Sequence, residues 1–319
     1  MAHGINRLAG KASSNPWRTV IIIVFVCVVL FVIRDMYLNY LTRELIPEDY
    51  HSAPLEVFTL NGISFYHIKG AFNHKWVSTA PNEKLVSAIF KQVTDKVCHQ
   101  QGLIVDVGAN TGIYGLYSAA RGCRVVMFDP QPQCQRAIMA ALDANNFYEP
   151  RVRLVPFAVT ENKMEIKVTN QSQCLTSLSL ASKLNARHSK QLAGAVWYPV
   201  PTVRLDEVLA NDGVIDLIKI DVEGAEYTVL KSAWNLFKTH KIKAMVIEVS
   251  PLWWDQFQVT KGQMAGLFEG LWDLGYKNMM VLEAVHGSKK PKQLTERWMV
   301  SEFIFSYPHK QVDVYAALL

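Results

Sequence analysis

The chain has 319 residues, half of them hydrophobic, and its 33 basic and 28 acidic residues give a net charge of +5 at pH 7. This length allows one large α/β domain with a sizeable core and additional segments. The positive excess is small, and the one compact basic cluster, Lys289-Lys290-Pro291-Lys292, lies in a predicted loop, so we expect no nucleic-acid partner. Five cysteines without C-x-x-C or Cys/His spacing predict no metal site and leave the redox compartment open.

An uninterrupted apolar run over residues 19–33 predicts a membrane anchor. The run is shorter than the roughly 20 residues that span a bilayer, but Trp17 before it and aromatic residues after it extend it into both interfaces. A cleaved signal peptide is the alternative, and no small-x-small cleavage site follows the run. The predicted segments are a cytosolic tail at 1–18, a transmembrane helix at 19–41 in contact with the lipid bilayer, and a linker at 42–54.

The charges on either side of this run predict its orientation. Basic residues precede it, and acidic residues accompany the basic ones after it, which favours a cytosolic N-terminus. A short span suits the thin membranes of the early secretory pathway, so we expect a single-pass protein of the Golgi or endoplasmic reticulum with a luminal domain. The sequon Asn170-Gln171-Ser172 would be glycosylatable there, although a single sequon arises easily by chance.

Residues 55–68 alternate in polarity around Asn61-Gly62, a dipeptide typical of a two-residue hairpin turn. We therefore expect a β-hairpin ahead of the core. Apolar residues then recur at helical spacing over 81–99, which predicts a helix that leads into the first core strand.

Residues 103–112, Leu-Ile-Val-Asp-Val-Gly-Ala-Asn-Thr-Gly, predict a buried strand and a glycine-rich turn, with helical spacing from Ile113 onward. This is the first unit of a doubly wound α/β sheet, whose ligands bind beyond the carboxyl ends of the strands. A dinucleotide fingerprint would need glycine where Asn110 and Ile113 stand, so a pyrophosphate site is excluded. The D-x-G-x-N-x-G turn instead resembles motif I of S-adenosylmethionine-dependent methyltransferases, and an ordinary glycine-rich turn is the alternative.

Asp129 follows the second predicted strand, residues 124–128. An acid at this place in such folds binds the ribose hydroxyls of the cofactor, and a plain helix N-cap ahead of Pro130 is the alternative. The next predicted elements are a third strand at 152–156, an added strand at 164–168 and a polar stretch at 170–197. That polar stretch predicts either a substrate loop or a disordered insertion.

Residues 215–226, Ile-Asp-Leu-Ile-Lys-Ile-Asp-Val-Glu-Gly-Ala-Glu, predict the fourth core strand and the turn after it. A central parallel strand is normally apolar on both faces, and an unpaired buried charge is costly. Lys219 and Asp221 should therefore pair with each other or face the ligand crevice at the end of the strand. We expect an active-site cluster here, and a plain strand end is the alternative.

The rest of the chain predicts enough elements to complete a seven-stranded sheet. They are a fifth strand at 243–249, a helix at 264–274, a strand at 279–282 and a strand around 303–305. The predicted fold is α/β, a Rossmann-like seven-stranded methyltransferase sheet over 55–319 with its core at 80–285, preceded by the transmembrane helix and the β-hairpin.

Four motifs, taken in chain order, resemble the FkbM family of methyltransferases. They are Asp106-Val-Gly-Ala-Asn-Thr-Gly112, Phe128-Asp-Pro130, Thr202-Val-Arg-Leu-Asp-Glu207 and Ile215 to Leu230, of which Lys219-Ile-Asp-Val-Glu-Gly-Ala-Glu226 is the most specific part. The resemblance covers roughly residues 80–250. Family members commonly carry glutamate where Asp129 stands, a conservative departure. The resemblance implies S-adenosylmethionine as the cofactor and methyl transfer to hydroxyls of sugars and sugar-bearing natural products.

This chemistry assigns roles to individual residues. A sugar hydroxyl is not ionised at neutral pH, so a base must take its proton as the new bond forms. We expect Glu223 to be that base, with Asp221 and Lys219 completing the catalytic group and no metal required. The expected cofactor-binding residues are Asp106, Gly108, Ala109, Asn110, Thr111, Gly112, Asp129, Phe157 and Ala158. The expected substrate-binding residues are Glu248, Trp253, Trp254 and His188, although the tryptophans can equally be core and a lone histidine is usually structural.

The sequence thus predicts a membrane-anchored, S-adenosylmethionine-dependent O-methyltransferase that acts on a sugar hydroxyl of a glycan or glycoconjugate. Two alternatives stay open. One is a methyltransferase for a lipid or another small molecule at the cytosolic membrane face, and the other is a non-catalytic binding protein that kept the cofactor fold. RNA methylation lacks the basic face that it would need. The sequence predicts no particular oligomeric state.

Overall fold

The computed structural model describes residues 20–26, 28–29, 48–170, 174, 196–284, 291–306 and 311–319. The chain divides into two compact units, Met1–Leu45 and Ile46–Leu319. In the first unit the described residues are helical. The second unit contains a β-hairpin, an eight-stranded sheet and a three-stranded sheet, together with the helices that pack on them.

The bounds of the described elements in the second unit are as follows. The strands are β1 (Leu55–Leu60), β2 (Ile63–Ile68), β3 (Leu103–Val107), β4 (Arg124–Phe128), β5 (Val152–Val155), β6 (Ala158–Val159), β7 (Glu165–Asn170), β8 (Val196–Val203), β9 (Ile215–Ile220), β10 (Ala244–Val249), β11 (Asn278–Ala284), β12 (Lys292–Leu294) and β13 (Val312–Ala317). The helices are α1 (Phe72–Thr79), α2 (Pro81–Val97), α3 (Ile113–Ala120), α4 (Pro132–Asn145), α5 (Leu205–Val208), α6 (Glu226–Ser232), α7 (Trp234–Lys238), α8 (Lys261–Asp273) and α9 (Arg297–Ser306). Short 3-10 helices lie at Glu48–Ser52, Cys98–Gln100 and Pro251–Phe257.

The large sheet has the strand order β12-β11-β13-β10-β9-β3-β4-β5. Strands β10, β9, β3, β4 and β5 are parallel, and β13 runs antiparallel between β10 and β11. The chain progresses in opposite directions from β3 and β9, and in open α/β sheets ligands bind at that switch point. The predicted Rossmann-like α/β class is confirmed. The sheet has eight strands rather than seven because β12 extends its edge.

The strand predicted around residues 303–305 is wrong. Those residues lie in α9, and the final strand is β13. Val300, Phe303 and Ile304 are the buried residues of α9, and intervals of three and four are helical spacing. The apolar run is so short that it fits a strand and a helix equally well, which is why its periodicity was not decisive.

Strands β1 and β2 form the predicted hairpin. Leu60 pairs with Ile63 across Asn61 and Gly62, whose φ angles of 50° and 81° are positive as a type I′ turn requires. The predicted helix at 81–99 is confirmed as α2, and the added strand as β7. Most of the polar stretch 170–197 lies outside the described residues, and its end forms the start of β8, a strand that the sequence did not predict.

The predicted membrane anchor is not found. Among the residues that the structure describes, no helix combines the length and the apolar character needed to cross a membrane. Residues 20–26 and 28–29 are helical, and the rest of 19–41 lies outside the described residues. The predicted localisation, a single-pass protein of the Golgi or endoplasmic reticulum with a luminal domain, is therefore wrong.

The ends of β3 and β9 meet at Gly108. The Asp221 N–H donates to the Val107 carbonyl at 2.9 Å, so the chain after β9 passes directly over the glycine turn. A Cβ atom at Gly108 would lie 1.8 Å from the Asp221 carbonyl oxygen, and the φ angle of this residue is +79°. Only glycine satisfies both the contact and the backbone angle at this position.

The hairpin contacts the same turn through His67, which is bonded in turn to His74 of helix α1. The buried His67 places Nε2 3.0 Å from the Thr111 carbonyl oxygen, so Nε2 carries the hydrogen. Its Nδ1 then accepts from His74 Nε2 at 2.6 Å, and His74 Nδ1 lies 3.2 Å from a carboxylate oxygen of Glu56. Burial, followed by the charge of His74, lowers the pKa of His67 to about 3, so this ring stays neutral. The chain of bonds joins the hairpin to the turn.

We expect Gly108→Ala to reduce the free energy of unfolding by at least about 3 kcal/mol, because the new methyl group overlaps the Asp221 carbonyl. The matched control is Gly62→Ala, whose φ of +81° is nearly the same but whose Cβ would meet nothing within 4 Å. That control should lose only about 1 kcal/mol, the cost of the left-handed backbone alone. Equilibrium urea unfolding measures both, and equal losses would contradict the close approach.

Candidate active site

The glycine turn between β3 and α3 is held by the backbone of β4. The Gly108 and Ala109 N–H groups both donate to the Phe128 carbonyl, at 2.9 and 3.0 Å. The turn therefore keeps its shape through main-chain hydrogen bonds to β4. Ala109, Thr111 and Gly112 are buried with it.

Asp106 at the end of β3 is the acid of this turn. It is 1 % exposed, its Oδ2 accepts from the Gly115 N–H at 3.2 Å, and its Oδ1 has no hydrogen-bond partner. A buried acceptor without a donor costs free energy, which a bound donor would recover. The ammonium group of S-adenosylmethionine is such a donor, so this orphaned oxygen fits the predicted cofactor.

Asp129 lies beside the turn and is almost fully buried. Its Oδ2 accepts from the Asn110 N–H at 2.8 Å and its Oδ1 from the Gln131 N–H at 2.9 Å. Burial raises the pKa of Asp129 to about 7, against the opposing effect of the bonds from Gln131 and Asn110. The N-cap interpretation is wrong in detail, because α4 begins at Pro132 with Gln131 as its N-cap. Each oxygen retains a lone pair, so the ribose role stays a prediction.

The remaining predicted cofactor residues lie at β6 and in the glycine turn. Phe157 and Ala158 are buried at the start of β6. Asn110 has φ +55°, and its Oδ1 accepts from the Thr111 N–H at 2.8 Å. A disulfide joins Cys134 of α4 to Cys174, whose sulfur lies 3.3 Å from Asn110 Oδ1. A second disulfide, Cys98–Cys123, joins the ends of α2 and α3 away from the turn.

The charged residues of the second motif lie on one face of the sheet because of its register. Asp106 on β3 pairs in register with Lys219 on β9, and Lys219 pairs in register with Val246 on β10. Two residues further along β10, Glu248 pairs in register with Asp313 on β13. Since side chains alternate between faces, Asp221 and Glu248 share the face of Lys219. Residues far apart in the sequence thus form one cluster.

Lys219 and Asp221 form an ion pair, with 2.8 Å between Nζ and Oδ2. Burial would raise the pKa of Asp221, but the charge of Lys219 and its hydrogen bond leave that pKa lowered. Burial would likewise lower the pKa of Lys219, but the charges of Asp221 and Asp106 leave it raised. Both groups therefore stay charged, as the sequence predicted for a pair buried at a strand end. Lys219 also lies over the Tyr114 ring, 5.6 Å from its centroid, and the Tyr114 hydroxyl donates to Glu83 at 2.5 Å.

Glu223 lies in the turn after β9 with φ +50°, a left-handed backbone that is uncommon for this residue type. Its Oε2 accepts from Gln311 Nε2 at 2.9 Å. Burial, followed by the charges of Asp221 and Glu226, raises the pKa of Glu223 to about 8, and the bond from Gln311 opposes this. A half-buried carboxyl with a pKa near neutrality in a strained turn is typical of a general base.

Glu248 completes the carboxyl group at the ends of the strands. Its Oε2 accepts from Gln311 Nε2 at 3.2 Å. Burial, followed by the charges of Asp221 and Asp313, raises the pKa of Glu248 well above its usual range. Oxygens of Asp221, Glu223 and Glu248 lie within 4.8 Å of one another, which is close enough to hold a metal ion. Lys219 and Gln311 already donate hydrogen bonds to these carboxyl groups.

Of the other predicted substrate residues, one belongs to the core, one lies outside the described residues and one lies against the turn after β9. Trp254 is 2 % exposed and donates its Nε1–H to the buried Glu226 at 3.0 Å, so it is part of the core. His188 lies outside the described residues. Trp253 is half-buried, and a Cβ at Gly224 would lie 2.4 Å from its Cβ, which places Trp253 against the turn that carries Glu223.

Several members of the cluster were missed by the sequence analysis. Gln311 directly precedes β13 and Asp313 lies in β13, a strand that was predicted in the wrong place. Glu83 and Tyr114 come from helices that cover the sheet face. The sequence could have indicated Asp313, because it is an acid inside the apolar strand Val-Asp-Val-Tyr-Ala-Ala. No feature of the sequence indicates Gln311 as a site residue.

Comparison with known proteins adds a family match to this geometry. Residues 106–277, more than half of the chain, match the family model described as the methyltransferase FkbM domain. This segment contains the glycine turn, Asp129, the ion pair, Glu223 and Glu248.

Two relatives and one solved structure show the extent of the similarity. Methyltransferase sdnD of Sordaria araneosa is 25% identical over 185 residues, which are 47% of this chain and 71% of sdnD. The AMB antimetabolite synthetase AmbE of Pseudomonas aeruginosa is 26% identical over 179 residues, 46% of this chain but only 8% of AmbE. A solved S-adenosylmethionine-dependent methyltransferase from Agrobacterium tumefaciens has a TM-score of 0.39 at 11% identity and covers 82% of this chain and 70% of its own.

The buried Glu226 predicts a pH-dependent stability. Burial raises its pKa from 4.5 to about 7, so between these values the folded protein holds a proton that the unfolded chain has lost. The stabilisation is complete below pH 4.5 and disappears as the pH rises through 7. Denaturant unfolding at pH 5 and pH 8 should show a loss of about 2 to 3 kcal/mol from this group.

The variant Glu226→Gln should remove this part of the pH dependence, because its side chain does not ionise. Exchange of the exposed Glu296 for glutamine is the matched control and should behave as the wild type does. If Glu226→Gln and the wild type lose the same free energy between pH 5 and pH 8, Glu226 is not protonated in the folded protein.

Proposed function

The chain belongs to the methyltransferase family defined by the FkbM domain, and we propose that it methylates a hydroxyl oxygen of a sugar in a glycan or glycoconjugate. As a member of that family it is an S-adenosylmethionine-dependent methyltransferase. The observation that carries the finer proposal is the half-buried carboxyl of Glu223, whose raised pKa and position beside Glu248 and Asp221 suit a base for a neutral hydroxyl.

The residues of the glycine turn would hold the cofactor. Asp106 offers its unpartnered Oδ1 to an ammonium group, and Gly108 and Gly112 allow close approach of the backbone. Asp129, Phe157 and Ala158 would line the part that takes the nucleoside. When bound, S-adenosylmethionine supplies a methyl group on a sulfonium that needs no further activation, so the protein's task is to align an oxygen and remove its proton.

Glu223 takes that proton. The oxygen–methyl bond forms as the sulfur–methyl bond breaks, and the hydroxyl proton passes to the Glu223 carboxylate. Lys219 keeps Asp221 ionised and in place, and the negative charge of Asp221 makes the neighbouring Glu223 a stronger base. The oxygens of Glu248 can accept a hydrogen bond from a second hydroxyl of the acceptor.

A polyhydroxylated acceptor fits this group of polar side chains. Glu248 and Asp221 offer hydrogen-bonding oxygens around Glu223, and the half-buried Trp253 offers an aromatic face of the kind that stacks on sugar rings. The exposed Leu252 next to it favours, as the second candidate, a less polar acceptor such as a lipid or another small molecule. A non-catalytic role would be indicated if the protein bound the cofactor but transferred no methyl group to either class.

Cofactor binding is the first test. We expect calorimetric titration of S-adenosylmethionine into the full chain to show micromolar binding that Asp106→Ala weakens at least about tenfold, the usual loss for a hydrogen bond to a charged group. Glu223→Ala is the matched control and should bind as the wild type does, because Glu223 acts on the acceptor. A folded wild-type protein that does not bind would overturn the assignment of the cofactor site.

Methyl transfer is the second test. With radiolabelled S-adenosylmethionine and a panel of free and lipid-linked sugars, kcat/KM should rise with pH and level off near pH 8 as Glu223 ionises. Glu223→Gln should lower kcat by about 10² to 10⁴, the usual contribution of a general base. Glu296→Gln is the control. A pH-independent rate, or full activity of Glu223→Gln, would show that another group takes the proton.

A further inference from the structure

Gln311 lies between the two glutamates of the site, and no motif of the sequence indicates it. We propose that Gln311 is a positioning residue, which fixes the carboxyl of Glu223 for proton transfer and holds it beside Glu248. This inference rests on the proposed function, since it names the residue that prepares the proposed base. Gln311 also lies outside residues 106–277, so the family match does not include it.

The geometry is that of a bridge. Gln311 Nε2 donates to Glu223 Oε2 at 2.9 Å and to Glu248 Oε2 at 3.2 Å, and it lies 3.4 Å from the hydroxyl oxygen of the buried Ser250. An amide nitrogen has two hydrogens, so each carboxyl can receive one. With Oε2 of Glu223 engaged in this way, Oε1 is the oxygen that takes the acceptor's proton.

The position of Gln311 is set by the sheet. It directly precedes β13, where Val312 pairs with Val249 and Asp313 pairs with Glu248. Glu248 therefore comes from one strand and Gln311 from the neighbouring strand end. The amide consequently approaches Glu223 from a rigid part of the fold, and a rigid support is what a catalytic carboxyl needs for a defined orientation.

Glu223 needs such a support for two reasons. Its left-handed backbone, with φ +50°, stores strain of the order of 1–3 kcal/mol, which surrounding contacts must offset. Its carboxylate would also be repelled by the charges of Asp221 and Glu226. The hydrogen bond from Gln311 offsets both the backbone strain and this repulsion. It also holds the pKa of Glu223 below the value that burial and those charges would otherwise produce.

The direction in which the pKa of Glu223 changes distinguishes a positioning role of Gln311 from a purely structural one. Gln311→Leu removes the donor at similar size, so Glu223 should titrate at a pH about one unit higher. Gln311→Lys replaces the amide by an ammonium group that also donates, so Glu223 should titrate at a lower pH than in the wild type. Loss of packing alone would not give shifts in opposite directions.

The experiment measures the titration of Glu223 directly in the full chain. Protein labelled with ¹³C-glutamate is titrated by NMR, and the Glu223 carboxyl signal is identified by its absence in Glu223→Gln. The matched control is Gln293→Leu, which removes an exposed glutamine of the same sheet from strand β12 and should leave the titration unchanged. If Gln311→Leu does not fold, Gln311→Lys alone still gives the downward shift.

The result expected is an upward shift in Gln311→Leu and a downward shift in Gln311→Lys, with S-adenosylmethionine affinity unchanged in both. The pH at which methyl transfer levels off should move in the same directions, with kcat affected more than KM. Titration of Glu223 at the wild-type pH in both variants would overturn the role of Gln311. Because the NMR titration needs no acceptor, it separates this result from a failure of the proposed function, which would appear as absence of methyl transfer by the wild type.

Discussion

The ion pair of Lys219 and Asp221 is the interaction on which the site depends. It places one ammonium group among several carboxyl groups at the end of a central strand, where water cannot screen them well. Asp221 stays ionised because of this pair, and its charge in turn raises the pKa of both Glu223 and Glu248. Removal of the ammonium group would therefore change the protonation of every acid at the end of the strand.

Most of the fold and the centre of the site were predictable because their signals are local. A buried strand, a glycine turn and the start of a helix follow one another within a few residues, so β3, Gly108 and α3 needed no knowledge of the tertiary structure. The charges of Lys219 and Asp221 inside an apolar strand were equally local, and the cost of burying them unpaired was enough to predict their pairing. The hairpin followed from Asn61-Gly62 in the same way.

The remaining parts could not be predicted because they depend on which elements the topology brings together. Gln311 reaches Glu223 only because β13 inserts antiparallel between β10 and β11, and the sequence placed that strand in what is helix α9. Trp254 became core because a buried acid, Glu226, accepts its N–H group. The membrane anchor was predicted from apolar composition alone, and no helix among the described residues is long and apolar enough to cross a membrane.

The division between the matched segment and its flanks has a physical logic. Residues 106–277 contain two features that cost free energy: a strained backbone at Glu223 and a turn carbonyl at Thr111 that must be satisfied away from water. His67 from the hairpin before the segment donates to that carbonyl, and Gln311, which precedes β13 after the segment, donates to Glu223. Each flank of the matched segment therefore supplies one donor that offsets a cost within it, His67 at the glycine turn and Gln311 at the turn after β9.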